Sequence, residues 1–314
     1  MASDGLKRRV RQLIKRTLFR LFRLGQRLGI DILPRHFYSS VPDLRELEIS
    51  DAWLAPSEMF AVQGTDVDEQ LAFAAQVCQP WRAQVQEGVW ARACEEAAEV
   101  GFGPIEADFL YCFIRSKLPG RIVQIGCGAS TAIMLRAYDE SAAQANITCI
   151  EPYPSDYLRN MDKSGKLRLV CKKAQEVDRD VLLELGDGDL FFVDSTHTVK
   201  AGSEVNRIIL DLLPRLKSGT YVHFHDINFP YDYQRGLLSG DLFHWSEGSL
   251  LQAFLADNPR YTIRASMSML HYARADQLRK LLPRYRPASN WYGLTPGMMD
   301  DGDSPASIYL QVVR

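Results

Sequence analysis

Apolar residues recur along this chain in more than one rhythm, and each rhythm predicts a different element. Between residues 6 and 28 they fall at Leu6, Val10, Leu13, Ile14, Leu18, Leu21, Leu24 and Leu28, mostly three or four apart, with basic residues between them. That is the 3.6-residue period of an amphipathic helix. Residues 29–57, with Pro34, Pro42 and Pro56, keep no period and read as an irregular connection. Helical spacing returns over 66–99 with a break near Pro80. It resumes at Gly103-Pro104 and runs to Lys117, where Pro104 suits a first turn and Ile105, Phe109, Phe113 and Ile114 share one side.

Beyond residue 120 the rhythm changes to short apolar runs separated by helical stretches. The runs at 121–126, 147–152, 167–172, 189–194, 220–225, 261–265 and 307–313 predict strands; helical patterns lie at 130–140, 155–163, 176–185, 199–216 and 246–257. Strands alternating with helices argue for an α/β fold with a mostly parallel sheet covered on both faces. The chain therefore divides into a basic amphipathic helix (1–30), a connecting and helical N-terminal region (31–100) and a sheet-bearing domain (101–314).

The composition is ordinary for a globular protein: 314 residues, 46% hydrophobic and 24% charged. Charge is not evenly spread. Residues 1–30 carry nine Lys or Arg against Asp4 alone, a balance of +8, which leaves 28 basic and 38 acidic residues, a balance of −10, for the remainder. Such a surplus of carboxylates disfavours nucleic acid as a partner of the main domain. The six cysteines form no Cys-x-x-Cys pair and several sit in apolar runs, which fits buried thiols in a reducing cytosol. No apolar run approaches the length of a membrane span, and the basic N-terminus lacks the apolar core of a signal peptide. The expected location is cytoplasmic or membrane-peripheral, and the basic helix can lie on anionic lipid, dock a partner, or cover its own domain.

One stretch carries more chemistry than the rest. The apolar run of Arg121-Ile-Val-Gln-Ile-Gly-Cys-Gly-Ala-Ser-Thr131 stops at a glycine pair where a helix begins, and a second run ends on Glu151, 25 residues after Gly126. This is the pattern of a nucleotide-binding βαβ unit: glycines let backbone approach a ligand, and a carboxylate at the next strand tip accepts the hydroxyl protons of a ribose. Ser130 and Thr131 stand where a dinucleotide fingerprint wants its third glycine, so the ligand expected is adenosyl without a diphosphate.

With Val123-Gln-Ile-Gly-Cys-Gly128, Ile150-Glu-Pro152, Phe191-Phe-Val-Asp-Ser-Thr-His197 and Val222-His-Phe-His-Asp-Ile227 in order, the sequence resembles the class I S-adenosylmethionine-dependent methyltransferases. Within them it is similar to a bacterial group known as methyltransferase family 24. The likeness runs from about Gly101 to the C-terminus, and His36-Phe-Tyr-Ser-Ser-Val-Pro-Asp43 looks like an N-terminal signature of that group. It implies a Rossmann-like seven-stranded sheet of order 3-2-1-4-5-7-6 with the last strand antiparallel. It also implies S-adenosylmethionine as cofactor, with Gly126, Cys127 and Gly128 beneath its methionyl part, Glu151 on its ribose and Gln175-Glu176 near its adenine. Ser130, Thr131 and Asp194 complete the candidate cofactor-binding set.

Ligands of open α/β sheets lie beyond the carboxyl ends of the strands. Besides Gly126 and Glu151, those ends hold Asp194 with His197, and His223 and His225 with Asp226. Two jobs are open to such a cluster: holding a divalent metal that lowers the pKa of a substrate hydroxyl, or acting directly as general base. Asp194 and Asp226 match the two metal-binding aspartates of the related catechol-type methyltransferases, whereas Ile227 departs from the asparagine usual there. Histidines in the set favour Mn, Fe or Zn over Mg. Catalysis is accordingly assigned to His225, Asp226, Asp194 and His197, the same four being the candidate metal ligands. His223 has a weaker claim, and Cys127, His36, His244 and His271 read as structural. Aromatic residues in 228–233, at Phe243 and Trp245, and at Trp291-Tyr292 suit a stacking surface for an acceptor.

The expected function is O-methylation of a sugar, glycan or small hydroxylated metabolite. An NAD-dependent oxidoreductase or epimerase would want a third glycine near 131 and a Tyr-x-x-x-Lys, and neither occurs. A non-catalytic scaffold and S-adenosylmethionine chemistry other than methylation are the remaining alternatives.

Overall fold

The computed structural model describes residues 2–49, 55–233, 237–238, 241–288 and 302–314, so Trp291-Tyr292 lie outside the described residues. The chain forms two units, Met1–Glu48 and Ile49–Arg314. In the first, helix α1 (Ala2–Arg27) is followed by Gly29 in the left-handed region, and Ile30 donates back to the Gly25 carbonyl at 2.9 Å. That closing turn satisfies carbonyls that the helix end would otherwise leave free. A short helix, α2 (Leu44–Ile49), falls inside the stretch that lacks periodicity.

The second unit is built on seven strands: β1 (Ile122–Ile125), β2 (Ile147–Ile150), β3 (Arg168–Val170), β4 (Leu190–Val193), β5 (Tyr221–Phe224), β6 (Tyr261–Ser266) and β7 (Ile308–Val312). Their order is β3-β2-β1-β4-β5-β7-β6, with β7 antiparallel to both neighbours and the other pairings parallel. The fold is the Rossmann-like arrangement that the motifs imply. The pleat sends alternate residues to opposite faces. Ile122, Phe192 and Tyr309 join one apolar core with α3 (Val67–Cys78), α4 (Trp90–Ala97), α5 (Pro104–Lys117) and α6 (Ala129–Glu140). Val123, Ile125, Phe191, Val193, Val222 and Phe224 join the other, on the face covered by residues 204–215 and the helix at 247–255.

Between β2 and β3 runs α7 (Asp156–Lys163), and before β4 the short α8 (Arg179–Leu182). The helix expected over 199–216 starts later, because Gly202 takes a positive φ and the Ser203 hydroxyl accepts from the Asn206 N–H as its cap. α9 (Glu204–Arg207) then passes into a π-helical stretch (Ile208–Leu212). α10 (Glu247–Leu255) falls in its expected window. The sequence reading gives no helix for α11 (Met267–Leu281), which packs on α3. A kink at Arg274 interrupts its apolar repeat, and residues 267–271 are buried whatever their polarity, so amphipathic spacing is lost.

Candidate active site

Parallel pairing in register brings the strand ends together. Gly126 donates to the Ile150 carbonyl, Asp194 to Ile125 and His225 to Val193, so the residues that follow β1, β2, β4 and β5 emerge side by side. Gly126 has φ +77°, and a Cβ there would meet the Asp194 carbonyl oxygen at 1.6 Å, so the glycine is demanded both by backbone conformation and by the neighbouring strand end.

The loop after β1 is locked from below by Gln124. Its amide donates to the Gly126 carbonyl (3.0 Å) and the Ser130 hydroxyl (2.9 Å), while its carbonyl accepts from the Thr131 hydroxyl (2.9 Å). Ser130 and Thr131 thus spend their hydroxyls on the scaffold, and Thr131 is fully buried. From above, Glu151 accepts from the Cys127 N–H (3.3 Å) and the Tyr153 N–H (2.9 Å). Burial pushes the Cys127 thiol well above its ordinary pKa, which suits a packing residue and not a nucleophile.

A pocket of about 200 Å³ opens over this loop, lined by Glu99, Gly101, Phe102, Gly126, Cys127, Gly128, Ala129, Ser130, Glu151 and Asp194. Three carboxylates therefore face one space. Burial of the carboxyl, with Glu151 and Asp194 close by, raises Glu99 above the usual carboxylate value. A Cβ on Gly128 would meet the Glu99 carboxylate at 2.3 Å, so this second glycine makes room for an acid from another helix end. Of the sequence candidates, Gln175 and Glu176 do not line this pocket: they sit in the turn Ala174–Glu176 beyond β3, Gln175 half-buried and Glu176 exposed.

Asp194, His197, His225 and Asp226 converge. His197 Nε2 lies 3.4 Å from Asp194 Oδ1 and 3.5 Å from Asp226 Oδ2, and His225 Nδ1 lies 3.6 and 3.4 Å from the same two oxygens. His197 Nδ1 sits 2.9 Å from Glu247, a fully buried carboxylate at the start of α10. The N–H groups of Ser246 and Glu247 donate to the His197 carbonyl, which holds His197 at φ +55°. Asp226 has the same φ, so two of the four residues occupy a region that side chains other than glycine rarely adopt.

Charge fixes the protonation of this cluster. Burial favours neutral imidazoles, but hydrogen bonding to Asp194 and Glu247 outweighs it at His197, whose pKa is pushed up to about 10. At His225 burial is likewise outweighed, here by Asp226 and Asp194, and its pKa stands well above the ordinary value. Burial would raise Asp194, yet the two imidazoles hold it well below the carboxylate range. His223 differs: neither ring nitrogen has a hydrogen-bond partner, the ring stacks on Phe192 at 4.2 Å, and burial keeps it neutral. It is part of the core.

On the far side of the cluster lies a cavity of about 460 Å³, lined by Gly103, Pro104, Glu106, His225, Asp226, Asn228, Leu237, Trp245 and residues 302–304 and 306. The segment 101–104 separates the two spaces: Gly101 and Phe102 border the first, Gly103 and Pro104 the second. The Phe102 ring lies 4.6 Å from that of His225. Trp245 contacts His197 (4.5 Å between ring centroids), with Phe243 and Tyr233 on its other sides. Ile227, at the position where related metal enzymes carry asparagine, is wholly buried, and Asn228 reaches the cavity instead.

Residues 123–227 match the family model described as a methyltransferase domain. Over these residues the chain is similar to a methyltransferase domain. The match begins in β1 and ends after β5, so it takes in the glycine loop, Glu151 and all four clustered residues. The resemblance to class I S-adenosylmethionine-dependent methyltransferases read from the motifs is borne out. Similar solved structures include the SAH-bound Podospora anserina methyltransferase PaMTH1, at 18% identity over 58% of this chain and 86% of that one, with a TM-score of 0.38. The plantazolicin methyltransferase BamL, in complex with SAH and a triazolic desmethylPZN analog, gives 13%, 79%, 96% and 0.37. The N-terminal domain of EvdMO1, in the presence of SAH and D-fucose, gives 19%, 47%, 66% and 0.28. Among curated proteins none matches the chain.

Glu99, Glu106, Gln124 and Glu247 belong to the site without having been singled out in the sequence. Glu106 left a signal: it is one of two carboxylates in the ten-residue run 105–114 of α5 that is buried throughout, and its Oε1 accepts from the Ala306 N–H at 2.8 Å. Glu247 left none, being 50 residues from its partner.

Proposed function

We propose that this chain transfers the methyl group of S-adenosylmethionine to a hydroxyl oxygen of a sugar or comparably hydroxylated small acceptor. The observation that carries the reading is the position of the cluster: Asp194 borders the glycine-loop pocket, while His225 and Asp226 border the larger cavity. The methyl passes in line from sulfur to oxygen as the C–S bond breaks and the C–O bond forms, leaving S-adenosylhomocysteine and a hydroxyl proton to be removed. Glu99, Glu151 and Asp194 give the donor's pocket an excess of negative charge, which suits the sulfonium and ammonium of a cationic ligand. Gln124 keeps the loop rigid, so that the donor is held without reorganisation.

The acceptor's hydroxyls find carboxylates at Glu106, Asp226 and Asp303, amide and hydroxyl groups at Asn228 and Ser304, and an aromatic wall at Trp245. Polyhydroxylated rings favour that combination, since carboxylates accept from hydroxyls and an aromatic face packs on the ring's C–H side. With His225 held as imidazolium, the Asp226 carboxylate is the proton acceptor facing the cavity, and His225 steadies the negative charge that develops on the acceptor oxygen. Asp194, His197 and Asp226 each offer a ligand atom within 4.8 Å of the others, and Glu247 on His197 Nδ1 leaves Nε2 as the donor. On losing its Nε2 proton, His197 would join Asp194 and Asp226 in holding a divalent cation, whose charge would lower the pKa of a nearby hydroxyl.

S-adenosylhomocysteine release measured against a panel of mono- and oligosaccharides and small hydroxylated metabolites tests the proposal. A product 14 mass units heavier and methylated on oxygen supports it; methylation on nitrogen or carbon, or NADH binding without S-adenosylmethionine binding, overturns it. Chelation separates the two modes of proton removal. EDTA abolishes turnover if a cation is used, and leaves it unchanged if Asp226 acts alone.

A further inference from the structure

Helix α1 plays no part in the chemistry described above, yet over its 26 residues it sets an apolar arc against a basic one. Val10, Leu13, Ile14, Leu21, Leu24 and Leu28 lie on one arc and are exposed, with Leu13 and Leu28 the most so at 66% and 69%. The opposite arc carries Lys15, Arg16 and Arg23 together with the exposed Phe19, and Arg9, Arg11, Arg20 and Arg27 flank the boundaries between the two. Just past the closing turn, Ile30, Ile32 and Leu33 are exposed as well. A row of apolar side chains this long is rare on a surface that faces only water.

We propose that α1 seats this chain on an anionic lipid bilayer, lying in the plane of the interface with its apolar arc among the acyl chains and its arginines at the phosphates. Charge selects this occupant. The segment 1–30 is +8 while the rest of the chain is −10, so the attraction to an anionic surface is concentrated in this helix. A second copy of the chain is the obvious rival, because positions 10, 14, 21, 24 and 28 also fit a seven-residue repeat. The flanking positions of that repeat hold Arg11, Arg20 and Arg27, and Asp4 is the sole acid of the helix, so two such helices would meet with like charges and no partners. A membrane crossing does not fit: among the described residues no helix is long and apolar enough to span a bilayer.

Flotation of the full-length protein with phosphatidylcholine vesicles, with and without phosphatidylglycerol, tests the proposal. Binding is expected to the anionic vesicles only, falling roughly 10-fold or more as salt rises from about 0.05 to about 0.5 M. Leu13→Glu with Leu24→Glu should abolish binding, and Arg16→Glu with Arg23→Glu should weaken it roughly 10-fold or more, since each basic residue at such a surface contributes roughly fivefold. Unchanged calorimetric binding of S-adenosylmethionine by both double variants shows that the fold has survived. Equal binding to neutral vesicles, binding that persists in Leu13→Glu with Leu24→Glu, or no binding at low salt overturns the proposal. So does retention on duplex DNA without vesicle binding, or a concentration-dependent dimer that the leucine substitutions dissolve while vesicles are ignored.

Discussion

The glycine-loop pocket and the imidazole–carboxylate cluster share one edge of the sheet but are assembled differently. Around the loop, Gln124, Gly126, Ser130, Thr131 and Glu151 fall within 28 residues of sequence, and their contacts are hydrogen bonds made mostly by amide and hydroxyl groups. In the cluster, Asp194, His197, His225, Asp226 and Glu247 span more than 50 residues and three separate chain segments, and almost every contact involves a group that can gain or lose a proton. A region built for shape should fail gradually under substitution. One built on charge should fail steeply, and in a pH-dependent way.

The largest effect is expected at the cluster. Asp226→Asn and His225→Ala should each reduce turnover roughly 100- to 10,000-fold while S-adenosylmethionine binding, read by calorimetry, stays near that of the parent. Full activity in both variants would move the chemistry away from this strand end. At the loop, Gly126→Ala puts a methyl group into the Asp194 carbonyl at a positive φ, and a loss of about 2 kcal/mol or more is expected in denaturant unfolding. Parent-like stability there would mean that the two strand ends are not locked together.

Glu151→Ala should weaken S-adenosylmethionine by about 1.5–3 kcal/mol, the range for losing charge-assisted hydrogen bonds, and equal affinity would remove Glu151 from the ligand. The pH response separates the regions further. His197 is raised to about 10 in the folded chain, above the ordinary imidazole value, so its contribution is complete below about pH 6.5 and is lost as pH climbs through about 10. The stability advantage over His197→Gln, about 2 kcal/mol in acid-to-neutral solution, should shrink over that window, and an advantage independent of pH would show that the ring is held neutral. The smallest effect belongs to Glu99→Gln: solvent screens this partly exposed acid, and a loss of S-adenosylmethionine affinity under about 1 kcal/mol is expected. A loss as large as that of Glu151→Ala would place Glu99 in direct contact with the ligand.

How far each region is legible in the sequence follows from the same contrast. The strands after residue 120, the glycine pair and the acid 25 residues on are local patterns, because a parallel strand reads as a continuous apolar run and a loop under a ligand needs glycine at fixed spacing. Asp194, His197, His225 and Asp226 could be singled out because strand ends of an α/β sheet fall on one edge. Sequence gave no such rule for Glu99, which reaches the pocket from beyond the end of α4, nor for Glu247, which meets His197 only because α10 starts against the turn that His197 makes. Helix α11 was illegible for a different reason: burial on nearly every side of its first turn and a kink at Arg274 erase the period by which helices are recognised.

By itself, then, the sequence determined the succession of strands, the glycine loop with its acid, and the separation of a +8 helix from a −10 remainder, since periodicity, spacing and charge are properties of neighbours along the chain. Tertiary structure alone decided which imidazole is spent in the core and which faces the carboxylates. His223 and His225 share a strand face two residues apart, yet one stacks on Phe192 without a polar partner and the other lies between Asp194 and Asp226. The protonation of a buried ring depends on the charges that packing sets within a few ångströms of it, and those charges come from segments that the sequence keeps far apart.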